Sequence, residues 1–274
     1  MTGWSVKLLF FIKLPIWRYT MYKLSMRLLL IILIFPAYLF SQDLTGDDII
    51  QKVNDLMNQE SVYSRMKMTI ITSSDKERTF EYDSWSKNEG EKNLVRYISP
   101  RRVKDQATLM LNNADDIWAY FPRTKRVRKL ATHAKKQKMQ GSDFTYEDMG
   151  SGDTFLTEFT AKRLDDEEMN NHDCYKVELT RTEDSDSHYS RLIMWVTKDN
   201  FYPLVVDYYD EDDPNRHLKR LVQKDIKMIQ GVPTAMKMTM YNKEDMTHTS
   251  MEIIKCEYNV KLDDAMFTER GLKK

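Results

Sequence analysis

From about residue 60 onwards, apolar and polar positions alternate with a period of two. Met66, Met68 and Ile70 alternate with Arg65, Lys67 and Thr69, and Phe80 and Tyr82 alternate with Glu81 and Asp83. That period sends successive side chains to opposite faces of a strand. Runs of strand character recur at 93–98, 107–111, 117–121, 174–181, 191–197, 203–209, 218–228, 234–242 and 250–260. Together they predict a mainly β chain with one sheet of about ten antiparallel strands. Lys198-Asp199-Asn200 and Gln230-Gly231 read as turns between strands, the glycine supplying a positive φ. Ahead of the first strand, Ile49, Ile50, Val53, Leu56 and Met57 fall at the 3–4 spacing of a helix. Thr45 or Asp47 can cap it, and Asp47 and Asp48 suit its positive end.

Two stretches break the alternation. Residues 132–158 read as a loop carrying one or two short helices that lie on the sheet. Asp263–Phe267 reads as a short helical turn with Phe267 tucked in. A sheet of about ten strands must curl, close or pack on something, so one face is expected to be concave and covered.

Charge changes the picture only when it is divided along the chain. The 274 residues carry 42 basic and 42 acidic side chains. Residues 1–42 hold Lys7, Lys13, Arg18, Lys23 and Arg27 with no acid, which leaves 37 basic against 42 acidic in 43–274. Leu28–Phe40 is a run of thirteen uncharged residues, short of the roughly 20 that span a bilayer. Preceded by Lys23 and Arg27, it reads as the apolar core of a secretory signal, with Ser41 at a plausible cleavage point and Leu39 a poor residue before it. Met21 and Met26 are credible starts, so part of residues 1–20 reads as an over-extension. The alternative is an uncleaved anchor in the inner membrane. Residues 43–274 are expected to be a single exported domain in the periplasm.

Export permits a disulfide between the two cysteines, Cys174 and Cys256; the alternative is two buried thiols on separate strands. The chain has no G-x-S-x-G, H-E-x-x-H, G-x-G-x-x-G or P-loop motif, and its five histidines, His133, His172, His188, His217 and His248, are scattered. His172 and Cys174 share a strand face, but nothing orients the histidine, so a Cys–His nucleophile is a weak reading. The acidic runs Asp165–Glu168 and Glu211–Asp213 read as solvated loops, with calcium binding as the lesser alternative. No catalytic residue, cofactor or metal is expected.

Two features remain. Arg123, Lys125, Arg126, Arg128, Lys129, Lys135, Lys136 and Lys138 place eight basic residues in sixteen positions without an acid. In an exported protein such a run suits an anionic headgroup, the membrane surface or an acidic partner better than nucleic acid. Its bland reading is a solvated hairpin whose charges meet the acidic loops. The second feature is methionine: Met236, Met238 and Met240 share one strand face, as do Met66 and Met68. Flexible, polarizable side chains suit a surface that accepts varied apolar ligands, although ordinary core packing also uses them. A curled sheet with an apolar concave face would form a lipid cavity, and burying an acyl chain gains ~0.8 kcal/mol per CH₂ without any reactive group.

Trp118-Ala119-Tyr120-Phe121-Pro122, followed by the basic run, Met139-Gln140-Gly141-Ser142-Asp143-Phe144 and Tyr146-Glu147-Asp148, resembles the LolA-like family of outer-membrane lipoprotein-sorting proteins. The closing Met266-Phe267-Thr268-Glu269-Arg270-Gly271-Leu272 is similar to that family's ending. The resemblance covers roughly residues 44–274. It implies a strongly curved, open antiparallel half-barrel with a short helical lid, a hydrophobic cavity, and periplasmic work shielding a lipid anchor in transit. The classical members of the family have shorter loops and lack the dense basic run, which leaves a lipoprotein acyl group, a phospholipid and another envelope lipid open as cargo.

The expected cavity residues are Met66, Met68, Ile70, Phe80, Tyr82, Trp118, Tyr120, Met194, Met236, Met238 and Met240, with the inward parity of 118–121 undecided. Arg123, Arg126, Arg128 and Lys129 are expected to dock headgroups or a partner, and Asp143 to cap the helix behind it. Expected partners are the cargo, an inner-membrane transporter, an outer-membrane acceptor and, transiently, the membrane surface; the carrier itself is expected to be a monomer. The rival readings are an adaptor of an inner-membrane lipid transporter and, less favoured, a lipid hydrolase.

Overall fold

A computed structural model describes residues 43–57, 59–150 and 152–274. The apolar run Leu28–Phe40 and the cleavage point near Ser41 lie outside the described residues. The chain enters through helix α1 (Gly46–Met57). Thr45 caps it reciprocally: the Asp48 backbone N donates to Thr45 Oγ1 at 3.1 Å, and Thr45 N donates to Asp48 Oδ2 at 2.9 Å. Ile49, Ile50 and Val53 are its buried stripe, so one face of the helix is held by apolar packing and its first turn by the cap.

Fourteen strands follow among the described residues. The first meander is β1 (Ser61–Ile71), β2 (Glu77–Lys87), β3 (Lys92–Ser99), β4 (Ala107–Leu111), β5 (Asp116–Phe121) and β6 (Arg126–Lys129). The second is β7 (Phe159–Arg163), β8 (Glu167–Met169), β9 (His172–Arg181), β10 (Tyr189–Thr197), β11 (Pro203–Asp210), β12 (His217–Ile229), β13 (Val232–Asn242) and β14 (Thr247–Tyr258). All belong to one antiparallel sheet ordered β6-β5-β4-β3-β2-β1-β14-β13-β12-β11-β10-β9-β7, with β8 also paired on β9. The meanders join where β1 pairs with β14, as in Met68 opposite Met251. β6 and β7 remain unpaired edges, so the sheet is an open, curved half-barrel. It exceeds the expected ten strands because β6, β7 and β8 span only four, five and three residues. Their sequences, RVRK, FTAKR and EEM, carry no run of alternation.

Both faces of the first meander are buried. Val95, Met110 and Ile117 point into the main core with Met68, Phe80, Tyr82 and Tyr97. Their neighbours Leu94 and Leu109 point the other way, with Trp118 and Tyr120 packed beside them, under Phe267 and Leu272 of the C-terminal segment. Arg96 pins that segment, its guanidinium donating to the carbonyls of Gly271 and Leu272 at 3.3 and 3.2 Å. The Gln230-Gly231 turn forms with both residues at positive φ, 50° and 85°. Residues 130–158 form a strap built from 3-10 turns at Thr132–Lys136 and Met139–Gly141, helix α2 (Tyr146–Met149) and helix α3 (Thr154–Thr157). Cys174 and Cys256 are unbridged. Among the described residues, no helix is long and apolar enough to cross a membrane.

Candidate functional site

Three acids of the strap fasten it to the second meander. Asp143 accepts from Thr247 Oγ1 at 2.5 Å and Thr249 Oγ1 at 2.7 Å, both on β14. Glu147 accepts from Ser187 Oγ at 2.6 Å and contacts His188 Nδ1, just before β10. Asp148 accepts from Tyr189 Oη of β10 at 2.8 Å and from Lys219 Nζ of β12 at 2.5 Å. Asp148 also completes a capping box with Thr145 on α2. Thr145, and not Asp143, is therefore the cap of this helix; the side chain of Asp143 is turned into the sheet by the two β14 threonines.

Burial alone would push the Asp148 carboxyl up, but the charge and hydrogen bond of Lys219 outweigh it and hold the group below its ordinary 3.8. Lys219 also lies 5.0 Å from the ring centre of Tyr189 and 5.1 Å from that of Tyr208. Burial and the neighbouring Asp148 push both phenols well above their ordinary value, so they stay protonated, and Tyr189 donates to Asp148. The result is a buried polar cluster under the strap.

Beside this cluster lies a cleft of about 280 Å³. Its apolar wall comes from Leu192 and Met194 of β10, Val206 of β11, Leu221 of β12, and Met238 and Met240 of β13. Phe144, Met149 and Phe155 of the strap roof it, Met57 of α1 reaches it from one side, and Glu147, Asp148, Tyr189 and Tyr208 supply its polar wall. The cleft is thus mostly apolar with a few convergent polar groups, the usual make-up of a small-molecule site.

Of the expected cavity residues, Met194, Met238 and Met240 line this cleft. Met66, Met68, Ile70, Phe80 and Tyr82 lie on the same side of the sheet, each at most 6% exposed. They are packed in the main core with Met139 and Phe144 of the strap. Met236 is half-buried and outside the cleft lining. Trp118 and Tyr120 sit on the opposite face, under the C-terminal segment. The 118–121 parity, open in the sequence, is settled by Ile117 facing the core.

Sequence reading gave Glu147 and Asp148 no anchoring role and missed Lys219. The available signal was parity: Lys219 shares its strand face with Leu221 and Gln223, both at the cleft, and a lysine on an inward face needs a partner.

The basic run divides in two. Lys129 pairs with Asp116 at 2.5 Å and lies over Trp118. Lys135 reaches Asp186 and Asp115 at 2.8 and 2.9 Å, Lys136 contacts Glu211, and Lys138 reaches Asp245 at 2.5 Å. Arg123, Lys125, Arg126 and Arg128 are exposed, and no ion pair is formed by any of them among the described residues. The strap lysines are therefore structural, each tying the strap to a different turn of the second meander. Burial pushes the Lys135 amine down, but Asp186 and Asp115 overcome this and hold it above its ordinary value.

His172 is exposed and Cys174 buried. Burial, reinforced by Asp173 and Asp199, pushes the Cys174 thiol up to about 11, the opposite of an activated nucleophile. Among the described residues, no group of His, Cys, Asp and Glu could hold a metal ion.

A family model described as "-like: Uncharacterized protein" matches residues 89–274. A comparison with curated proteins finds no match. Among solved structures, an outer membrane lipoprotein-sorting protein domain from Vibrio parahaemolyticus is 26% identical at a TM-score of 0.75, covering 84% of this chain and 98% of that one. A DUF1329 family protein from Desulfovibrio piger is 27% identical at a TM-score of 0.74, covering 83% and 97%. A LolA superfamily protein from Nitrosomonas europaea shares the fold at 21% identity and a TM-score of 0.69, covering 82% and 98%.

Proposed function

Because the chain belongs to the LolA-like family of outer-membrane lipoprotein-sorting proteins, we propose that it is a periplasmic, non-enzymatic carrier. It holds the acyl part of a lipoprotein, or of another envelope lipid, in the cleft beneath the strap. It takes this cargo from an inner-membrane transporter and passes it to an outer-membrane acceptor. The observation that carries this reading is the cleft itself: an apolar pocket on the concave side of a half-barrel, roofed by a segment fastened through polar contacts. Its apolar walls supply burial, and burial is all a carrier needs.

At about 280 Å³ the cleft is just below the range of ~300–1,000 Å³ typical of ligand sites. It holds part of an acyl chain with the strap down, and a whole lipid enters only when the strap lifts. Met66, Met68, Phe80 and Tyr82 then join the lining, since the strap's Phe144 and Met139 now pack in the same core.

The filled part of the concave face also favours a second reading, an adaptor of a lipid transporter whose cavity stays occupied by its own side chains. Protein purified from the native host and extracted into organic solvent should yield acyl lipid by mass spectrometry. The delipidated protein should take up a fluorescent fatty acid. A lipid-free extract together with no uptake would sink the carrier reading and leave the adaptor.

A further inference from the structure

The antiparallel meander β3-β4-β5-β6 brings two turns distant in sequence to the same end of the sheet. The turn after β3 carries Arg101, Arg102 and Lys104; the turn after β5, with the start of β6, carries Arg123, Lys125, Arg126 and Arg128. Alternate strands of a sheet lie about 10 Å apart, so the two turns are neighbours. They share a surface cleft lined by Gln106 of the first and by Phe121, Arg123 and Arg128 of the second. All seven cations are exposed, and none forms an ion pair among the described residues. One acid, Asp105, lies within the two turns.

The second meander reverses the sign. Its turns at the same end carry Glu183, Asp184 and Asp186, then Glu211, Asp212 and Asp213, then Glu244 and Asp245. The strap lysines neutralise part of that acidity, through Lys135 to Asp186, Lys136 to Glu211 and Lys138 to Asp245. Among the described residues, one end of the half-barrel is thus cationic without ion-pair partners over β3–β6, and acidic and partly neutralised by the strap over β9–β14.

We infer that the cationic end formed by the turns after β3 and β5 is a docking surface for an anionic phospholipid bilayer. Seven cations spread over two exposed turns make a broad field and not an anion pocket, which matches a surface of many phosphates. The aromatic ring beside them supplies the other half of an interfacial contact. Phe121 is 37% exposed at the corner of β5 and stacks with Arg128 at 6.0 Å, an apolar group at headgroup depth amid lipid-facing arginines. The inference rests on the carrier reading only for the presence of a bilayer in the protein's surroundings. Gln106, which lines the cationic cleft, accepts at its Oε1 from Gln140 Nε2 of the strap at 3.3 Å, so the docking surface adjoins the lid of the cargo site.

The test is co-sedimentation of the purified protein with vesicles of phosphatidylglycerol and phosphatidylcholine, against vesicles of phosphatidylcholine alone. Wild type should bind the anionic vesicles and not the neutral ones. The Arg101→Gln/Arg123→Gln/Arg126→Gln variant should bind them on the order of 100-fold less tightly, three charges at about tenfold or less apiece. The Lys224→Gln/Lys227→Gln/Lys261→Gln variant removes as much charge from exposed positions at the other end of the sheet and should bind like wild type. Phe121→Ala should weaken the binding that survives high salt, because apolar insertion is not screened. Equal binding by wild type and the arginine variant, or equal losses in both triple variants, would overturn the inference. So would binding of an acidic protein but not of anionic vesicles. Fatty-acid uptake is measured on the same variants: it should be unchanged by the arginine substitutions, so failure of docking and failure of the carrier reading are separately visible.

Discussion

Lys219 Nζ and Asp148 Oδ2 meet at 2.5 Å with their side chains only 7% and 3% exposed, so a single buried ion pair joins the strap to the middle of the second meander. Taking one partner away strands a charge in a dry site, at a cost of about 3–5 kcal/mol. Lys219→Met should lower stability in urea unfolding by roughly that amount. Asp148→Asn combined with Lys219→Met should recover much of the loss, since the stranded charge is gone. A double variant whose loss equals the sum of the two singles would mean that the pair contributes no coupling.

The same pair sets an acid limit. Lys219 holds the folded Asp148 carboxyl below its ordinary 3.8. A group depressed on folding stabilises the native state above its unfolded pKa, and that contribution is lost as pH falls through the lower, folded value. The latch should therefore hold from neutral pH down to about 5 and weaken only below about 4. Thermal unfolding of wild type and Asp148→Asn, compared across pH, should show the difference between them constant above about 5 and shrinking below about 4. A difference that already shrinks between 7 and 5 would place the titrating group elsewhere.

The two thiols give a check that needs no ligand. Cys174 is 1% exposed with its thiol pushed up to about 11, and burial raises Cys256 as well. At neutral pH the thiolate fraction of Cys174 is about one in ten thousand. In denaturant without reductant, a thiol reagent should titrate both cysteines; in the native protein, Cys174 should stay unmodified for hours. Rapid native labelling of Cys174 would show that β9 opens locally.

The C-terminal segment turns on one glycine. A Cβ on Gly271 would come within 2.3 Å of the Met266 carbonyl oxygen and 2.4 Å of that of Ala265. Those are backbone atoms, so the turn has to move. Gly271→Ala should loosen Phe267 and Leu272 from Leu94 and Leu109, costing about 2 kcal/mol or more, and shift Trp118 fluorescence towards that of a wet indole. An unchanged Tm would show that the segment tolerates displacement.

Much of this fold was legible in the alternation of side chains. The helical stripe of Ile49, Ile50 and Val53, the long strands and the tucked Phe267 all follow from local periodicity. The facing of β4 and β5 did not, because Ala107–Leu111 is apolar on both faces: Met110 serves the core, and Leu109 the C-terminal segment. Double-sided burial erases the pattern that assigns a face. The strap anchors were hidden for a different reason. Nothing local to Glu147 and Asp148 names their partners; the fold brings Ser187 and Lys219, forty and seventy-one residues away, to meet them. The basic run was visible as charge, but which half of it is neutralised depends on acidic turns that only the second meander supplies.

The methionines on β13 separate cargo binding from packing. Met238 and Met240 line the cleft, while Met236 shares their strand face but not the cleft. Met238 is half-buried, so Met238→Trp has room to enlarge into the cleft at a packing cost of about 1–3 kcal/mol. It should reduce fluorescent fatty-acid uptake at least about tenfold, because a cleft of about 280 Å³ cannot hold both an indole and an acyl segment. Met236→Trp should leave uptake close to that of wild type. Lys219→Met, which removes one anchor of the strap, should speed uptake by a protein that still folds, whereas in Met238→Trp/Lys219→Met uptake should stay low, since loosening the roof does not restore the floor. Equal uptake by the Met236 and Met238 variants would move the cargo out of this cleft and onto another part of the sheet.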